Sequence, residues 1–354
     1  MAQINKPGEH FNTVTYTGDG NNTKAITGVG FQPDWTAIKI RDASHGTRQW
    51  DSTRGSNKEL MWHQPNAETT DSSNGWIGSW DSDGFTTQAG SDATKWNVNK
   101  SGNAYVAWNW KANGGTTSSN TDGTITSTVQ ANTASGFSIV TYTGNGTSGA
   151  TVGHGLSAIP GVLIVKRLDT TSNWQVYHHK ISSNAETKYM FLNGTDAQLT
   201  ATNRWNDTAP TTSVFSLGNS TEVNANNGNY VAYVFAEKKG YSKFGVYTGN
   251  ASTNGTFVYT GFKPAWIVFK EKGNVNSWRY TDSVRDPFNP KEKAVNTPGS
   301  SAEANSGYTH DALSNGFKIR TTDTNLNRSG GNYIYMAFAE QPLVGTNNIP
   351  ATAR

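Results

Sequence analysis

The sequence contains no cysteine and has little charge, and both features narrow what the protein can be. Without cysteine, disulfides and thiolate zinc sites are excluded. The 29 Lys and Arg residues nearly balance the 26 Asp and Glu residues, so the net charge of +3 predicts no strong attraction to nucleic acid. We therefore expect packing to hold the fold, and we predict no metal and no cofactor.

Long apolar runs are also missing from the chain. No segment approaches the roughly 18 apolar residues that cross a membrane as a helix. The opening segment, MAQINKPGEHFNT, lacks the apolar stretch of a secretory signal. The sequence thus predicts no membrane insertion and no export by the general secretory route.

The residues that are abundant favour strands over helices. The chain is poor in Leu, Glu, Lys and Met, whereas Thr, Asn, Ser, Tyr, Trp and Val are common and glycine occurs 37 times. β-Branched and aromatic residues suit strands, and glycine and asparagine suit the tight turns between them. This composition predicts an all-β protein.

One short phrase occurs three times along the chain. It reads VTYTGDG from residue 14, VTYTGNG from residue 140 and VYTGNA from residue 246. Each copy is followed by an apolar run that ends in a lysine, and later by an aromatic segment that opens on a tyrosine; these residues are Lys39, Lys166, Lys270, Tyr105, Tyr230 and Tyr333. From the tyrosine of the phrase to the closing tyrosine the chain advances 89, 88 and 86 residues. A spacing this regular indicates a repeat architecture.

The repeat predicts three tandem β-sandwich domains of jelly-roll type, each of about 100 residues. We place them at residues 1–112, 134–238 and 239–342, with a Gly/Thr/Ser-rich linker at 113–133 and a tail at 343–354. The closing segments are apolar at successive positions, so each should be a central strand that is covered on both faces. We expect each domain to have its own interior, and the linker to let the first domain hinge.

Charged residues recur at one position of the repeat. Twelve residues after the strand lysines stand Asp51 and Asp282, each followed three residues later by an arginine, Arg54 and Arg285, while the second domain has His178. A carboxylate and a guanidinium this close could form an acid/base site or a bidentate clamp. Recurrence in two domains favours structural ion pairs, because an active site rarely needs two copies. We predict no catalytic residue.

Two other patterns partly resemble metal-binding motifs. His178 and His179 are adjacent, and adjacent residues on a strand point to opposite faces, so they do not suit one metal ion. Asp81-Ser-Asp83-Gly84 imitates the start of a calcium loop but lacks its later ligands, so a hairpin turn is favoured. A polysaccharide depolymerase would need two carboxylates about 5 to 10 Å apart. The candidates for such a pair are Asp81, Asp83, Asp207, Glu222 and Asp311.

Several tryptophans have no counterpart in the other domains and fall in predicted loops. With one neighbouring histidine they are the candidate binding residues: Trp62, His63, Trp76, Trp80, Trp96 and Trp205. Exposed aromatic rings bury much area for few rotamers. They could stack against a sugar, contact another copy of the chain in a homo-oligomer, or complete the core of their own domain. The sequence leaves these three alternatives open.

The phrases FNTVTYTGDG, GFSIVTYTGNGTSGATVGHGL, GYSKFGVYTGN and NYIYMAFAE resemble a domain family of uncharacterised function that is common in virion proteins of marine tailed bacteriophages. The resemblance covers nearly the whole chain in the same three-unit order, but it rests on framework residues and assigns no catalytic role. It implies a phage structural protein that is assembled in the host cytoplasm and displayed on the tail or capsid beside other virion proteins. The Trp-rich loop at 61–80 departs from the family pattern and leaves partner specificity open.

These observations predict a non-enzymatic virion component, foremost a tail fibre or another host-contacting tail appendage. A capsid decoration protein is the first alternative, and a carbohydrate-binding lectin-like module or a polysaccharide depolymerase are the others. A host surface glycan or receptor would be the external partner. We expect the short arm MAQINKPG, or one face of the first domain, to dock the protein to the particle.

Overall fold

The computed structural model describes residues 3–70, 73–92, 96–345 and 350–351. The chain is 45% strand and 5% helix, and its strands form several antiparallel sheets. The prediction of an all-β fold is therefore confirmed.

Unit 1, which we define as residues 11–112, contains a larger and a smaller sheet. Its strands are β1 (Phe11–Thr17), β2 (Thr23–Ile26), β3 (Trp35–Ile40), β4 (Arg48–Asp51), β5 (Gly55–Met61), β6 (Trp76–Asp81), β7 (Gly84–Gln88) and β8 (Ala104–Trp110), and a 3-10 helix at Pro7–Glu9 precedes them. The larger sheet has the order β1-β8-β3-β4-β5 and the smaller one β2-β7-β6. Ile26 and Phe85 of the smaller sheet pack against Ile38 and Trp50 of the larger one, so the two sheets form a sandwich.

Unit 2, residues 118–238, repeats this plan with a wider sheet. Its strands are β9 (Ser118–Asn120), β10 (Ser127–Asn132), β11 (Phe137–Thr143), β12 (Ala150–Gly153), β13 (Val162–Arg167), β14 (Gln175–His178), β15 (Lys188–Phe191), β16 (Leu199–Thr200), β17 (Val214–Leu217) and β18 (Asn229–Phe235). Its helices are a 3-10 helix at Ala185–Thr187, α1 (Thr202–Trp205) and α2 (Thr221–Asn224). The large sheet has the order β16-β15-β14-β13-β18-β11-β10-β9, and β12 pairs with β17.

Unit 3, residues 239–342, joins its layers into one sheet. Its elements are β19 (Ser242–Thr248), β20 (Phe257–Tyr259), β21 (Phe262–Glu271), β22 (Trp278–Asp282), β23 (Lys291–Thr297), β24 (Ala304–Leu313), β25 (Gly316–Ile319), α3 (Thr324–Asn327) and β26 (Asn332–Pro342). The order is β19-β26-β21-β22-β23-β24-β25-β20. Phe317 of β25 packs with Phe269 of β21 and Tyr333 of β26, so the sheet folds over on itself.

The opening and closing tyrosines are neighbours in every unit. The strand of the opening phrase pairs with the closing strand, and the two tyrosines lie opposite each other. Their rings stack at centroid distances of 5.1 Å for Tyr16 and Tyr105, 5.0 Å for Tyr142 and Tyr230, and 4.9 Å for Tyr247 and Tyr333. The closing tyrosine hydroxyl accepts a hydrogen bond from a backbone amide of the preceding loop, at Lys100, Ala225 and Arg328. The constant spacing in sequence follows, because every unit must bring its two ends to this contact.

The glycine of the opening phrase is required by a close approach of two backbone segments. A β-carbon at Gly18, Gly144 or Gly249 would lie 2.1, 2.4 or 2.4 Å from a carbonyl oxygen of the loop before the closing strand. A side chain therefore cannot occupy this space unless the backbone moves. None of the three glycines has a positive φ, so glycine is not required here by a left-handed turn conformation. The close approach of the two backbone segments is what requires it.

The closing strand of each unit is buried on both faces. In β8, Tyr105 and Ala107 face the interior of unit 1, whereas Val106, Trp108 and Trp110 face a larger cluster. β26 divides its residues between two clusters in the same alternating way. The prediction that these segments are central strands covered on both faces is confirmed.

The larger cluster, which we call the shared interior, contains residues of all three units. Trp35 of unit 1 stacks on Tyr233 of unit 2 with ring centroids 4.4 Å apart. Phe338 of unit 3 lies 5.8 Å both from Trp110 of unit 1 and from Phe235 of unit 2. The expectation that every unit has a wholly separate interior is therefore wrong, since the outer faces of the three large sheets cover one another.

The segment between units 1 and 2 is held in place at both ends. The backbone amides of Ala112, Gly114 and Gly115 donate to the buried carboxylate of Asp34 over 2.7, 2.9 and 2.7 Å. Further on, β9 and β10 extend the large sheet of unit 2 beyond β11. These contacts and the shared interior fix unit 1 against unit 2, so the expected hinge is wrong.

The described part of the N-terminal arm packs against unit 3. The amide of Ile4 donates to the carbonyl oxygen of Lys239 at 3.0 Å, and the ring of His10 meets that of Tyr241 at 5.7 Å. The arm thus joins unit 1 to unit 3. Docking to the particle through the arm, or through one face of unit 1, stays a prediction.

We expect Trp35→Ala to destabilise the whole chain and not unit 1 alone. Removing a buried tryptophan costs about 3 to 5 kcal/mol, and Trp35 stacks on rings of units 1 and 2. Urea unfolding followed by fluorescence and circular dichroism should show one transition at a lower midpoint. Phe257→Ala, at a side chain in a residue that is 45% exposed, should leave the midpoint nearly unchanged. A separate early transition, with the remainder unfolding at the wild-type midpoint, would contradict the shared interior.

Candidate functional site

The recurring position twelve residues after the strand lysine lies at the boundary between neighbouring units. In unit 1 it is Asp51, whose Oδ2 accepts a hydrogen bond of 2.7 Å from Tyr233 Oη of unit 2. In unit 3 it is Asp282, whose Oδ2 accepts one of 3.0 Å from Trp108 Nε1 of unit 1. Both carboxylates are buried. Each therefore makes a specific contact with the next unit.

Unit 2 completes the set with His178. Its Nε2 lies 3.1 Å from the carbonyl oxygen of Tyr335 in unit 3, and since a carbonyl only accepts, this nitrogen carries the proton. The acceptor is adjacent to Met336, which stands where the other closing strands have Trp108 and Tyr233. Methionine has no hydrogen-bond donor that a carboxylate at position 178 could accept from. Unit 2 therefore has a histidine at this position, and its ring donates to the backbone of unit 3.

These contacts run in one direction around the molecule, from unit 1 to unit 2, from unit 2 to unit 3, and from unit 3 back to unit 1. We call them joints 1, 2 and 3 in that order. A contact between two different surfaces generates a closed ring when the rotation between neighbours closes. The fold is thus a ring of three units in one chain, with the shared interior at its centre.

The arginines of the recurring motif lie in the joints beside their carboxylates. Arg54 Nε is 2.5 Å from Asp51 Oδ2, and Arg54 Nη1 is 2.8 Å from Glu68 Oε2. Arg285 pairs in the same way with Asp282. Burial opposes the charge of Arg54, but the neighbouring acidic groups outweigh it and raise the pKa of Arg54. The structure brings together both members of each predicted ion pair, and it places them at the contacts between units.

A second contact also repeats at every joint. A backbone amide donates to the carbonyl oxygen two residues after the strand lysine of the next unit. The pairs are Glu68 with Leu168 at joint 1 (2.9 Å), Gln198 with Lys272 at joint 2 (2.8 Å) and Glu303 with Arg41 at joint 3 (2.6 Å). The backbone contact is the same three times, so any difference between the joints comes from the side chains.

Two of the three joints are bridged by the side chain two residues after the strand lysine. At joint 3, Arg41 forms two hydrogen bonds with Glu303, of 3.1 and 2.9 Å. At joint 2, Lys272 Nζ donates to the carbonyl oxygen of Ile181 at 2.7 Å. At joint 1 the residue is Leu168, which has no polar end that could reach across. Joint 1 therefore lacks the bridge that this position forms at the other two.

A cleft of about 530 Å³ opens at joint 1, and we take it as the candidate functional site. Thr53, Arg54 and Glu68 line it from unit 1, and Leu168 and Asp169 are among the residues that line it from unit 2. Small-molecule sites usually measure roughly 300 to 1,000 Å³. The cleft is therefore large enough for a small ligand.

One wall of the cleft is a face of threonines on two paired strands. The large sheets of units 1 and 3 end at β1 and β19, whereas that of unit 2 continues from β11 to β10. Thr128 lies opposite Thr141, and by the alternation of a strand Thr126 and Thr143 share their face. In the part of the chain that the structure describes, the hydroxyls of Thr126, Thr128 and Thr141 form no hydrogen bond. These three hydroxyls are available to a ligand.

The charged groups around the cleft are paired with one another. Besides its contact with Arg54, Glu68 lies 3.2 Å from Lys58 Nζ. Asp169 lies 2.6 Å from Arg167 Nε, and this hydrogen bond is the main reason that the pKa of Asp169 is lowered. Both carboxylates that line the cleft thus have a cation as partner, and the nearby Lys166, which is buried, donates from Nζ to the carbonyl oxygen of Arg167.

The tryptophans outside the repeat fall into two groups. Trp62 and Trp205 are only 2% and 1% exposed, so the prediction that they contact a partner is wrong. Trp62 lies in the shared interior, and its amide bonds to Thr47, which stands where units 2 and 3 have Trp174 and Trp278. Trp62 thus contributes, from a neighbouring strand, the indole that unit 1 lacks at that position. Sequence spacing alone cannot reveal such a replacement.

The remaining candidate binding residues lie in unit 1 and are half-buried: His63, Trp76, Trp80 and Trp96. The three tryptophans pack against the interior of unit 1. Trp96 also contacts His45, at a ring distance of 5.9 Å, and Lys100, whose Nζ lies 3.0 Å from the ring centroid. A binding role for these four residues stays a prediction.

The calcium-loop-like motif and several of the candidate depolymerase carboxylates form hydrogen bonds or ion pairs with nearby residues. The carboxylate of Asp83 accepts from the amides of Gly28 and Gly30 at 3.1 and 2.6 Å. Asp81 pairs with Gly84 across the turn between β6 and β7, so the hairpin predicted here is confirmed. The other carboxylates considered for a depolymerase include Glu222, paired with Arg204, and Asp311, paired with Arg320.

A metal centre and a membrane-spanning helix are both absent from the described residues. Among the described residues, no group of three or more His, Asp or Glu side chains could hold a metal ion. His178 and His179 bond to different carbonyl oxygens, those of Tyr335 and Phe244. Within the same residues there is no helix with the length and apolarity needed to cross a membrane.

The fold and its joints define an all-β protein in which three similarly built units contact one another in a ring. The chain belongs to the family described as a domain of unknown function (DUF7483), which matches it over residues 6–342. The match extends through all three units, so the family corresponds to the whole ring and not to one repeat. No curated protein and no solved structure matches the chain.

Asp282→Asn should destabilise the protein strongly, because it removes one of the two carboxylates that face the buried Arg285 and leaves Glu303, at 2.8 Å, as the remaining one. Breaking a buried ion pair costs about 3 to 5 kcal/mol, whereas an exposed pair contributes about 0 to 1 kcal/mol. Asp311→Asn is the control, since the side chain of its partner Arg320 is 41% exposed. Urea unfolding measures the free energy of unfolding of both variants. Equal decreases in the two variants would contradict the larger contribution assigned to the buried ion pair.

Acid should destabilise the fold through His178. Burial is the main cause that lowers the pKa of His178 to about 3, while an unfolded histidine has a pKa of about 6.5. Between these values only the unfolded chain binds the proton, so stability falls as the pH falls, by up to about 1.4 kcal/mol per pH unit.

His178→Gln keeps an N–H donor and removes the titrating group. The free energy of unfolding, measured in urea at about pH 7 and about pH 5, should therefore fall less in this variant than in the wild type. An unchanged difference between the two pH values would contradict the role assigned to His178.

Proposed function

We propose that this chain is a non-enzymatic structural component of a bacteriophage virion, carried on a tail fibre or another host-contacting tail appendage. The observation that supports the proposal is the closed ring. The residues that recur in the repeat form the tyrosine pairs, the joints and the shared interior, and each of these holds one part of the chain against another. A block of this kind keeps its shape without cross-links, as a part mounted on a particle must.

The resemblance of the repeated phrases to virion proteins of marine tailed phages supports the proposal that the protein is part of a phage particle. In this role the chain is assembled in the host cytoplasm and contacts other virion proteins, with one face of unit 1 as the docking surface. A host surface glycan or receptor is the partner on the outside.

Capsid decoration is the second candidate, and one observation favours it. The three units surround a common interior and do not follow one another along a line. A ring has a broad face, which suits a protein that braces neighbouring shell subunits.

Purified particles of a phage that encodes the chain test both candidates. We expect the protein to copurify with the particles at a constant copy number. Antibody labelling viewed by electron microscopy should mark the tail for the first candidate and the whole capsid surface for the second. Absence of the protein from particles that are otherwise complete would overturn the proposed function.

A further inference from the structure

We propose that the cleft at joint 1 is a binding site for an uncharged sugar. The inference concerns the isolated chain and does not depend on where the protein is displayed. It rests on the difference between joint 1 and the other two joints, on the free hydroxyls of the cleft and on the pairing of its charged side chains.

The first argument is that joint 1 departs from the other joints at the position that would close it. Arg41 bridges joint 3 and Lys272 bridges joint 2, each through a hydrogen bond to the neighbouring unit. Leu168, held by the same backbone contact, lines the cleft instead. Among the strands that the structure describes, moreover, a further strand beside the opening strand occurs only in unit 2, where β10 pairs with β11. Joint 1 therefore lacks the bridge and has an additional wall.

The second argument concerns the chemistry of that wall. The hydroxyls of Thr126, Thr128 and Thr141 line the cleft on one face and, within the described residues, have no hydrogen-bond partner. A hydroxyl both donates and accepts, so a row of them suits a ligand that itself carries several hydroxyls. The side-chain amide of Asn229 and the carboxylate of Asp169 add further polar partners at the same rim.

The third argument is that a charged ligand fits the cleft less well than an uncharged one. The charged side chains that line the cleft, Arg54, Glu68 and Asp169, are each engaged in an ion pair, so an incoming anion or metal cation would have to compete with these pairs. The methyl groups of the threonines and the side chain of Leu168 offer apolar contact between the polar groups. An uncharged, polyhydroxylated molecule matches this combination, and a cleft of about 530 Å³ has room for one.

Saturation-transfer NMR on the full chain tests the inference. The probes are glucose, galactose, mannose, N-acetylglucosamine, maltose and lactose, with glucuronic acid and glucosamine as charged counterparts. We expect at least one neutral sugar to bind. Leu168→Arg restores the side chain found at joint 3 and should weaken that binding by about tenfold or more. Thr128→Gln changes an exposed residue of the cleft wall and none of the contacts at joint 1, and it should weaken sugar binding to a similar extent. This variant provides the test if Leu168→Arg does not fold.

The matched control is Lys272→Leu, which removes the bridge at joint 2. Joint 2 has no β10 wall, so this variant should bind the sugar as the wild type does. Failure of every neutral sugar to bind the wild type would overturn the proposal, as would binding that both cleft variants retain. Binding of the charged sugars alone would overturn the assignment to an uncharged ligand.

Discussion

The structure depends on one constraint: each closing strand has two apolar faces, and its own unit can cover only one of them. The second layer of each unit covers one face. The other face carries residues such as Trp108, Tyr233 and Phe338, which must also leave water. A buried aromatic side chain removes roughly 150 to 250 Å² from water. Three such faces cover one another at the shared interior, and the ring follows from that mutual burial.

Apolar contact does not by itself fix which surfaces meet, and the joints do this with directional groups. Asp51 accepts from Tyr233, and Asp282 accepts from Trp108. A buried carboxylate without its donors would be expensive, so a wrong pairing of units is disfavoured more than the right pairing is favoured. The recurring Asp and Arg residues thus act as guides for assembly of the ring, which explains why a repeat with so little charge keeps these charges inside.

The local part of this architecture could be predicted from the sequence, whereas the contacts between units could not. Periodicity and spacing identify the central strands, because the tyrosine pair forms within one unit and must recur at a constant distance. No periodicity relates Asp51 to Tyr233, or Thr47 to Trp62, since these partners meet only when the units are arranged in space. For the same reason the sequence did not reveal that Trp62 and Trp205 are buried. Leu168 becomes noticeable only when the three joints are compared position by position.

Fusion of the three units into one polypeptide has a consequence for valency. In a homotrimer built from identical subunits, a change at one contact surface appears three times, so every boundary must change together. In a single chain the residue two positions after each strand lysine can vary alone, as Arg41, Leu168 and Lys272 do. The cleft beside Leu168 therefore gives each chain a single copy of this proposed site, and any avidity in its attachment must come from the number of chains arrayed together and not from the symmetry within each.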